Sequence, residues 1–150
     1  MEHPINKLLN DIIIITNDIY NSVGPGYNEI IYHRAFEVAL RLNNIPYESE
    51  VITPIMYKNH NIGHGRIDLI INNCMIIELK AIANLNNNDS IIQIKNYMRQ
   101  QNIVDGLIIN FGQSNSKCNG TISIKYINSN NQIFNFINGQ FVEFTQINVN

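Results

Sequence analysis

The sequence predicts one domain of the α/β class. Hydrophobic residues recur at helical spacing in two N-terminal segments and again near the middle of the chain. Short runs rich in Ile and Val, bounded by Asn, Gly and Pro, lie between and after these segments and are typical of strands. With 150 residues the chain can form one core of ordinary size, and no internal repeat or second domain is evident.

The first two predicted elements are helices. One covers residues 5–22, where the helical spacing of apolar residues outweighs the strand propensity of four consecutive isoleucines. Gly24-Pro25-Gly26 ends it, and a second helix follows over residues 27–43. The apolar stripe expected in the first helix comprises Ile5, Leu8, Leu9, Ile12, Ile15, Ile19 and Val23. The stripe expected in the second comprises Ile31, Ala35, Val38, Ala39 and Leu42, beside a face with Glu29, Tyr32, His33 and Phe36.

The middle of the chain predicts three strands, a third helix and a fourth strand. Their expected ranges, in order, are 47–57, 61–71, 75–81, 89–101 and 105–111. A strand that follows a helix in this way indicates a crossover connection. Residues 113–150 are interpreted as strands added to the domain whose core is residues 1–112. These added strands are expected over 121–127, 132–137 and 140–147, with a hairpin turn at Asn138-Gly139.

The composition limits partners and location. The chain is 45% hydrophobic and 15% charged, with a net charge of −2 and a pI near 6.0. Any contact with DNA must therefore come from a local basic patch. Cys74 and Cys118 lack metal-site spacing and favour reduced thiols in an intracellular compartment. We expect neither a signal peptide nor a membrane span, and the heavy use of Ile and Asn suggests an AT-rich genome, as in some giant viruses and some bacteria.

Three charged residues interrupt sequence that otherwise resembles buried strand: Asp68, Glu78 and Lys80. Such side chains are rarely buried unless they are paired or bind a metal. Because side chains alternate along a strand, Asp68 can lie opposite Glu78 only if residues 72–74 form a three-residue turn. A two-residue turn would place the acids on opposite faces. Asn in the turn tolerates left-handed backbone, so the metal hypothesis predicts the three-residue form.

Two carboxylates placed so closely repel each other unless one is protonated or a cation lies beside them. Mg²⁺ or Mn²⁺ prefers oxygen ligands and is commonly held by one or two carboxylates together with substrate phosphate. Lys80, on the strand face of Glu78, would lie near the attacking water and the scissile phosphate. It could orient or deprotonate that water or stabilise developing charge. The alternative for each residue alone is a surface salt bridge between strand ends.

These motifs resemble a known family. Asp68 followed by Glu78-Leu79-Lys80 resembles the signature of the PD-(D/E)xK nuclease superfamily. Gly26-x-x-Glu29-x-x-Tyr32 resembles the motif of its GxxExxY branch, and Gln93-x-x-x-Tyr97 resembles the QxxxY motif of RecB-like and lambda-exonuclease-like members. Further matches, in the same order within residues 5–112, are Gly24-Pro25-Gly26, Gly63-x-x-Arg66-x-Asp68, Glu78 to Ala81 and Gly106 to Gly112.

The sequence departs from the superfamily pattern at two positions. Ile67 replaces the proline of the signature, which is common among its members. Gly65 stands where a bulkier residue is usual, and we expect it to loosen that strand.

The resemblance implies a restriction-endonuclease-like α-β-β-β-α-β core with a mixed sheet, plus an N-terminal helix and C-terminal β-hairpins. It also implies that Asp68, Glu78 and the backbone carbonyl of Leu79 bind the metal ion. Glu29 would reach the same site from its helix, directly or through water.

The resemblance further assigns Lys80 as the catalytic lysine. Gln93 and Tyr97, four residues apart on the third helix, correspond to residues that orient the site or contact DNA near it. For His33 a helix-surface position is expected, and Tyr32 is equally consistent with packing and with chemistry. No glycine-rich phosphate loop and no Cys or His cluster is present, so neither a nucleotide cofactor nor zinc is expected.

Other basic residues are candidates for contact with nucleic acid. Arg66 shares the strand face of Asp68 and either touches phosphate or pairs with an acid. Lys95 and Arg99, on the third helix, either bind phosphate or form a solvated face. Around the first strand turn a surface role is favoured, with proximity to DNA as the alternative, for Lys58, His60 and His64.

The sequence thus predicts a Mg²⁺- or Mn²⁺-dependent nuclease that hydrolyses phosphodiester bonds in DNA, with RNA as an open alternative and DNA repair or recombination as its setting. A second hypothesis is a non-catalytic nucleic-acid-binding or protein-interaction module on the same fold. The acidic pI favours that hypothesis, whereas retention of the charged residues Glu29, Asp68, Glu78 and Lys80 counts against it. An edge strand of the tail could also form a homodimer with its copy.

Overall fold

The computed structural model describes residues 4–83, 89–112 and 122–144. Three helices lie within these ranges: α1 (Pro4–Val23), α2 (Glu29–Leu42) and α3 (Asp89–Gln101). The strands there are β1 (Tyr47–Tyr57), β2 (His60–Ile71), β3 (Met75–Lys80), β4 (Gly106–Asn110), β5 (Ser123–Ile127), β6 (Ile133–Ile137) and β7 (Gln140–Glu143). The predicted order of elements is confirmed. Parts of the predicted tail, residues 113–121 and 145–150, and Cys118 with them, lie outside the described residues.

All seven strands form one sheet in the order of the sequence, β1-β2-β3-β4-β5-β6-β7. β3 and β4 run parallel, because α3 provides the crossover between them, and the other neighbouring strands are antiparallel. The predicted α/β fold with a mixed sheet is therefore confirmed. β5 pairs directly with β4, so the C-terminal strands continue the sheet of the core. Within the described ranges no helix is long and apolar enough to cross a membrane.

The sheet is buried on both faces in its centre. On one face, α1 and α2 cover alternate residues of β3, including Ile77 and Leu79. On the other face α3 covers Ile76 and Ile108. A strand with helices on both sides reads as a continuous apolar run, which is why the sequence of β3 and β4 shows so little polar alternation.

The core-facing stripe predicted for α1 is confirmed from Leu8 to Val23, whereas the side chain of Ile5 lies outside the described part of the chain, and the stripe predicted for α2 is wrong in part. Three residues of that stripe, Ile31, Val38 and Leu42, face solvent, with Val38 47% and Leu42 78% exposed, whereas Ala35 and Ala39 pack against the core. The buried face instead comprises Tyr32, His33, Phe36 and Leu40. The helix is rotated toward its larger side chains because the aromatic rings bury more area than the aliphatic stripe would.

Tyr32 packs in the core and also forms hydrogen bonds with the loop before α2. Its ring stacks on that of Phe111, with centroids 4.2 Å apart and planes within 4°. Its hydroxyl donates a hydrogen bond to the carbonyl of Gly24 at 2.8 Å and accepts one from the N–H of Tyr27 at 3.3 Å. Gly24 and Gly26 have φ of 78° and 99°, a conformation that favours glycine. This loop sets where α2 begins, and therefore where Glu29 lies.

The alternation of side chains along β2 is interrupted at Asp68. Ile67 packs against α3, whereas Leu69, two residues later, packs against the α1 and α2 side. A regular strand would keep both on one face. On β1 the residue across from Asp68 is Glu50, whose φ of 53° is left-handed and lies between the regular pairs on either side. The β1–β2 hairpin therefore twists at this point and curls over α3.

Replacing Tyr32 with Phe should lower the free energy of unfolding by about 1 kcal/mol, because the loop from Gly24 to Tyr27 loses a buried hydrogen-bonding partner while the ring stack is kept. Urea denaturation measures this loss. Tyr57→Phe, which removes an exposed hydroxyl from the same residue type, serves as the control. Equal stability of the two variants would contradict this account of Tyr32.

Candidate active site

The β2–β3 hairpin sets the geometry of the site. Ile71 pairs with Met75 across residues 72–74, which confirms the predicted three-residue turn. Asn72 and Asn73 have φ of 50° and 55°, the left-handed conformation that Asn tolerates better than most residues. The register then continues through Leu69–Ile77 and leaves the next two residues, Asp68 and Glu78, facing each other.

Asp68 and Glu78 are joined through the backbone of each other's strand. The Leu79 N–H donates to Asp68 Oδ2 at 2.8 Å, and the Asp68 N–H donates to Glu78 Oε1 at 3.3 Å. The two carboxylates thus bridge β2 and β3 beyond the last regular pair. The predicted juxtaposition of these two acids is present in the structure.

Glu78 is almost completely buried, with 3% of its surface exposed. Burial and the neighbouring Asp68 carboxylate raise the pKa of Glu78 to about 8, against the opposing effects of the Asp68 N–H and the Lys80 ammonium. This buried acid beside another acid is therefore held largely protonated near neutral pH, even with Lys80 nearby, unless further positive charge is supplied. Lys80, half-buried on the same strand, is the positive group that the chain itself supplies.

Glu29, the first residue of α2, approaches this pair from the helix side. The pKa of Glu29 is raised, mainly by burial and also by the Asp68 carboxylate. The positive charges of Lys80, His33 and Arg66 act in the opposite direction. Glu29 therefore lies within electrostatic reach of both Asp68 and Lys80. The structure brings four of the predicted site residues to one region.

The predicted convergence of three carboxylates on one ion does not appear in the side-chain arrangement. In the described part of the chain, no group of three or more His, Cys, Asp or Glu side chains is placed to hold a metal ion. The reason is that Asp68 and Glu78 turn toward N–H groups of the adjacent strand, while Glu29 couples to Asp68 and Lys80. The backbone of Leu79 contacts Asp68 through its N–H, whereas the group expected to bind the metal ion was its carbonyl.

The Asp68–Glu78 pair nevertheless fits a hard divalent cation by its chemistry. Both are oxygen donors of the kind that Mg²⁺ and Mn²⁺ prefer. Their placement on adjacent strands and the raised pKa of Glu78 describe a buried excess of negative potential that a cation would relieve.

Gln93 and Tyr97 contact each other on α3, and both lie next to the β1–β2 hairpin. Gln93 Nε2 donates to the Tyr97 hydroxyl at 3.2 Å. With His64 and Arg99 they line a groove of about 570 Å³ between the hairpin and α3, and among the described residues Asp68, Glu78 and Lys80 are not part of that lining. The structure therefore brings Gln93 and Tyr97 to each other and to the hairpin.

Gly65 permits this contact and does not loosen the strand, contrary to expectation. A Cβ at Gly65 would lie 2.6 Å from Tyr97 Cε1 and 2.9 Å from its hydroxyl oxygen. Only a residue without a side chain lets the ring approach β2 this closely. Gly65 keeps its pairing with Thr53, whose hydroxyl donates to Gln100 Oε1 of α3 at 3.1 Å.

The basic candidates fall in two places. Arg66 pairs with Glu50 at 3.6 Å between Nη1 and Oε1, with both side chains half-exposed, and it is near enough to Glu29 to affect the pKa of that acid. Lys95 and Arg99 instead line a second groove, at the C-terminal end of α3. Arg99 also donates to Asn96 Oδ1 at 3.1 Å.

Sequence reasoning missed two residues that support the site. His33 is buried on α2, contrary to the expected surface position, and its Nε2 lies 2.8 Å from the Ser49 hydroxyl. Asn110 is buried opposite Lys80 on β4 and bonds both backbone groups of Ile82, which fixes the chain just after Lys80. One signal for Asn110 was available: a single amide side chain in an apolar strand needs a partner.

Gly65→Ala should lower the free energy of unfolding by roughly 1–3 kcal/mol, because the added methyl displaces the Tyr97 ring from β2. Thermal or urea denaturation measures the change. Gly63→Ala is the matched control, since a Cβ at Gly63 meets nothing within 4 Å. If both variants unfold at the same denaturant concentration, the contact between Gly65 and Tyr97 does not contribute to stability.

The metal-free protein should become less stable as pH rises from about 4.5 to 8. In this pH window Glu78 is still protonated in the folded chain, whereas the same side chain is ionised in the unfolded chain. The free energy of unfolding therefore falls as pH rises. We expect a loss on the order of 2 kcal/mol or more across the window.

Glu78→Gln should remove most of that pH dependence, and the exposed Glu48→Gln should retain it. Urea denaturation in chelator, repeated across this pH range, measures both. Added Mg²⁺ or Mn²⁺ should oppose the loss, because a bound cation favours the ionised acids. An unchanged pH slope in Glu78→Gln would contradict the assignment of the raised pKa to this residue.

The chain is similar to known proteins in sequence and in fold. A family model described as the PD-(D/E)XK nuclease superfamily matches residues 6–121, a range that includes every residue of the candidate site. No curated protein matches the chain. A crystal structure of SSO0001 is similar in fold, with a TM-score of 0.50 and 24% identity. The similar region covers 65% of this chain and 48% of that one, so the chain spans about half the length of this neighbour. Because the family match covers most of its length, the chain belongs to the PD-(D/E)XK nuclease superfamily.

Proposed function

We propose that the protein is a metal-dependent nuclease that hydrolyses phosphodiester bonds in DNA. The observation that carries the proposal is the facing pair Asp68 and Glu78, with Lys80 beside them, in a member of a nuclease superfamily. Members of this superfamily typically use divalent metal ions. A buried acid paired with a half-buried one is costly to a fold, so the presence of this pair favours a chemical use.

In this proposal the carboxylates of Asp68 and Glu78 hold Mg²⁺ or Mn²⁺, with Glu29 and the Leu79 carbonyl as further oxygen donors. A bound ion of this kind polarises the phosphate and lowers the pKa of a bound water. Binding requires Glu78 to be ionised, so its raised pKa makes ion affinity depend on pH near neutrality.

Lys80 is proposed to act on the attacking water or on the developing charge of the phosphate through Nζ. Its position two residues after Glu78 places it on the same strand face, and its charge acts on both Glu29 and Glu78. Asn110 would support this role by fixing the backbone at Ile82, immediately beyond Lys80. Gln93 and Tyr97 are proposed to assist from α3, on the substrate side of the hairpin.

We also propose that the chain belongs to the GxxExxY branch. The structure gives the spacing of that motif a physical reason. Tyr32 closes the loop from Gly24 to Tyr27 with its hydroxyl, and this closure fixes the first turn of α2, where Glu29 lies. A tyrosine three residues after the acid therefore positions it.

A non-catalytic binding module on the same fold is the second candidate. It is favoured by one observation, that the described carboxylates bond to backbone N–H groups without forming a group of three. DNA repair or recombination, an intracellular location and a homodimer through a tail strand remain proposals. For the dimer, β7 lies at an edge of the sheet and is short.

Asp68→Asn and Lys80→Ala should each reduce cleavage at least about 100-fold, because each removes charge at the reacting phosphate. The assay uses linear, circular and single-stranded DNA, and RNA, with Mg²⁺, Mn²⁺ or chelator. Lys7→Ala is the control, since Lys7 is exposed on α1 and pairs with Asp11 of the same helix.

Cleavage that survives both substitutions would remove the proposed chemistry. A metal-induced rise in melting temperature that is lost in Asp68→Asn, without any cleavage by the unmodified chain, would favour the non-catalytic module.

A further inference from the structure

The groove between the β1–β2 hairpin and α3, named the hairpin groove, has the size of a small-ligand site. The two elements touch where the Thr53 hydroxyl donates to Gln100 Oε1 and where the Tyr97 ring lies against Gly65. Beside these contacts they leave a space of about 570 Å³, which is in the range of pockets that bind small molecules. A nucleic-acid duplex, whose major groove alone is ~12 Å wide, is too large to enter.

Three amide side chains of α3 line the hairpin groove: Gln93, Asn96 and Gln100. Each uses one end of its amide within the protein. Gln93 donates through Nε2 to the hydroxyl of Tyr97, Asn96 accepts through Oδ1, and Gln100 accepts through Oε1. In the described part of the chain the other ends, Gln93 Oε1, Asn96 Nδ2 and Gln100 Nε2, have no protein partner. The groove therefore offers a ligand one acceptor and two donor groups whose positions the protein already fixes.

The hairpin groove has little net charge and has apolar surface on both sides. Among its described lining residues, apart from the imidazole of His64, the charged side chains are one acid, Asp89, and one cation, Arg99. Ile55 of the hairpin and Ile92 of α3 are 41% and 57% exposed. A ligand that fits this lining has donors and acceptors at its edge, apolar faces and no charge of its own. A nucleobase has these properties, since its edge forms hydrogen bonds and its faces stack on apolar side chains.

The hairpin groove lies close to the candidate active site. Gly65, in its lining, precedes Asp68 by three residues on β2, which is roughly 10 Å at ~3.3 Å per residue. On β3, Ile76 packs against α3, and regular alternation turns Glu78, two residues later, to the same side of the sheet. A base in the groove would therefore be about three stacked nucleotides, at ~3.4 Å each, from the carboxylates.

We propose that the hairpin groove binds an unpaired nucleobase of the nucleic-acid substrate, close to the phosphate that is cut, an inference that rests on the proposed function. A base within a duplex is paired and stacked, so the bound base comes from a single-stranded stretch or is turned out of the helix. Asn96 and Gln100 form hydrogen bonds with its edge, as amides do with adenine. Ile92 contacts its face, and the exposed Arg99 contacts the adjoining phosphate.

The test is fluorescence anisotropy in chelator, so that nothing is cut. The probes are a short labelled oligodeoxyadenylate, an abasic strand with the same number of phosphates, and a fully paired hairpin. The unmodified chain should bind the base-bearing strand roughly tenfold more tightly than the abasic strand, because the phosphates are equal and only the contacts with a base differ. The paired hairpin should also bind more weakly than the base-bearing strand.

Asn96→Ala and Gln100→Ala should each lower the preference for the base-bearing strand to about threefold or less, since each removes an amide from the groove. Gln101→Ala is the matched control, because Gln101 belongs to the same helix but is not among the described lining residues, and it should keep the full preference. Thr53→Val removes the hydroxyl that bonds Gln100 and leaves the amide, so it should also keep the preference. Circular dichroism melts verify that each variant is folded.

Equal binding of the base-bearing and abasic strands by the unmodified chain would overturn the proposal, as would equal or tighter binding of the paired hairpin. A preference that persists in both Asn96→Ala and Gln100→Ala would do the same. An equal loss in Thr53→Val and Gln100→Ala would assign the effect to the position of the hairpin and exclude a role for the amide. A preference that depends on these amides, in a chain that does not cleave, would support the groove and overturn only the nuclease proposal. Cleavage by a chain without the preference would overturn the groove alone.

Discussion

Two carboxylates facing each other across adjacent strands are the constraint around which the rest of this structure is arranged. Asp68 and Glu78 face each other only because Asn72 and Asn73 adopt left-handed backbone and make the turn three residues long. A buried acid beside a second acid resists ionisation, which is the physical origin of the raised pKa of Glu78. Each acid offsets part of that cost by accepting an N–H from the opposite strand.

The surrounding elements can be understood by how they fix this pair. Tyr32 holds the loop before α2 and so determines where Glu29 approaches Asp68. Asn110 fastens the chain after Lys80 to β4. These contacts involve side chains on separate elements, and a site supported in this way keeps its geometry better than one built on loops. The family match extends across all of them.

Much of this arrangement could be predicted from residue pattern alone. Helical spacing identified α1, turn residues identified the strand ends, and the length of the β2–β3 turn followed from the need to bring two acids together. The buried face of α2 was predicted wrongly because two stripes coexist on that helix, and spacing alone cannot rank an aliphatic stripe against an aromatic one. The roles of His33 and Gly65 depend on Ser49 and Tyr97, which are distant in sequence, so no local pattern could reveal them.

The contact of the β1–β2 hairpin with α3 limits how this protein can vary. Thr53 and Gly65 lie on the hairpin face that meets α3, and regular alternation turns Arg66 to the other face. Loss or gain of a single residue in the regular part of β2 that precedes Arg66 would reverse these two faces. Homologues and designed variants with longer or shorter hairpins should therefore differ by even numbers of residues in each strand, or carry a bulge such as the one between Ile55 and Met56.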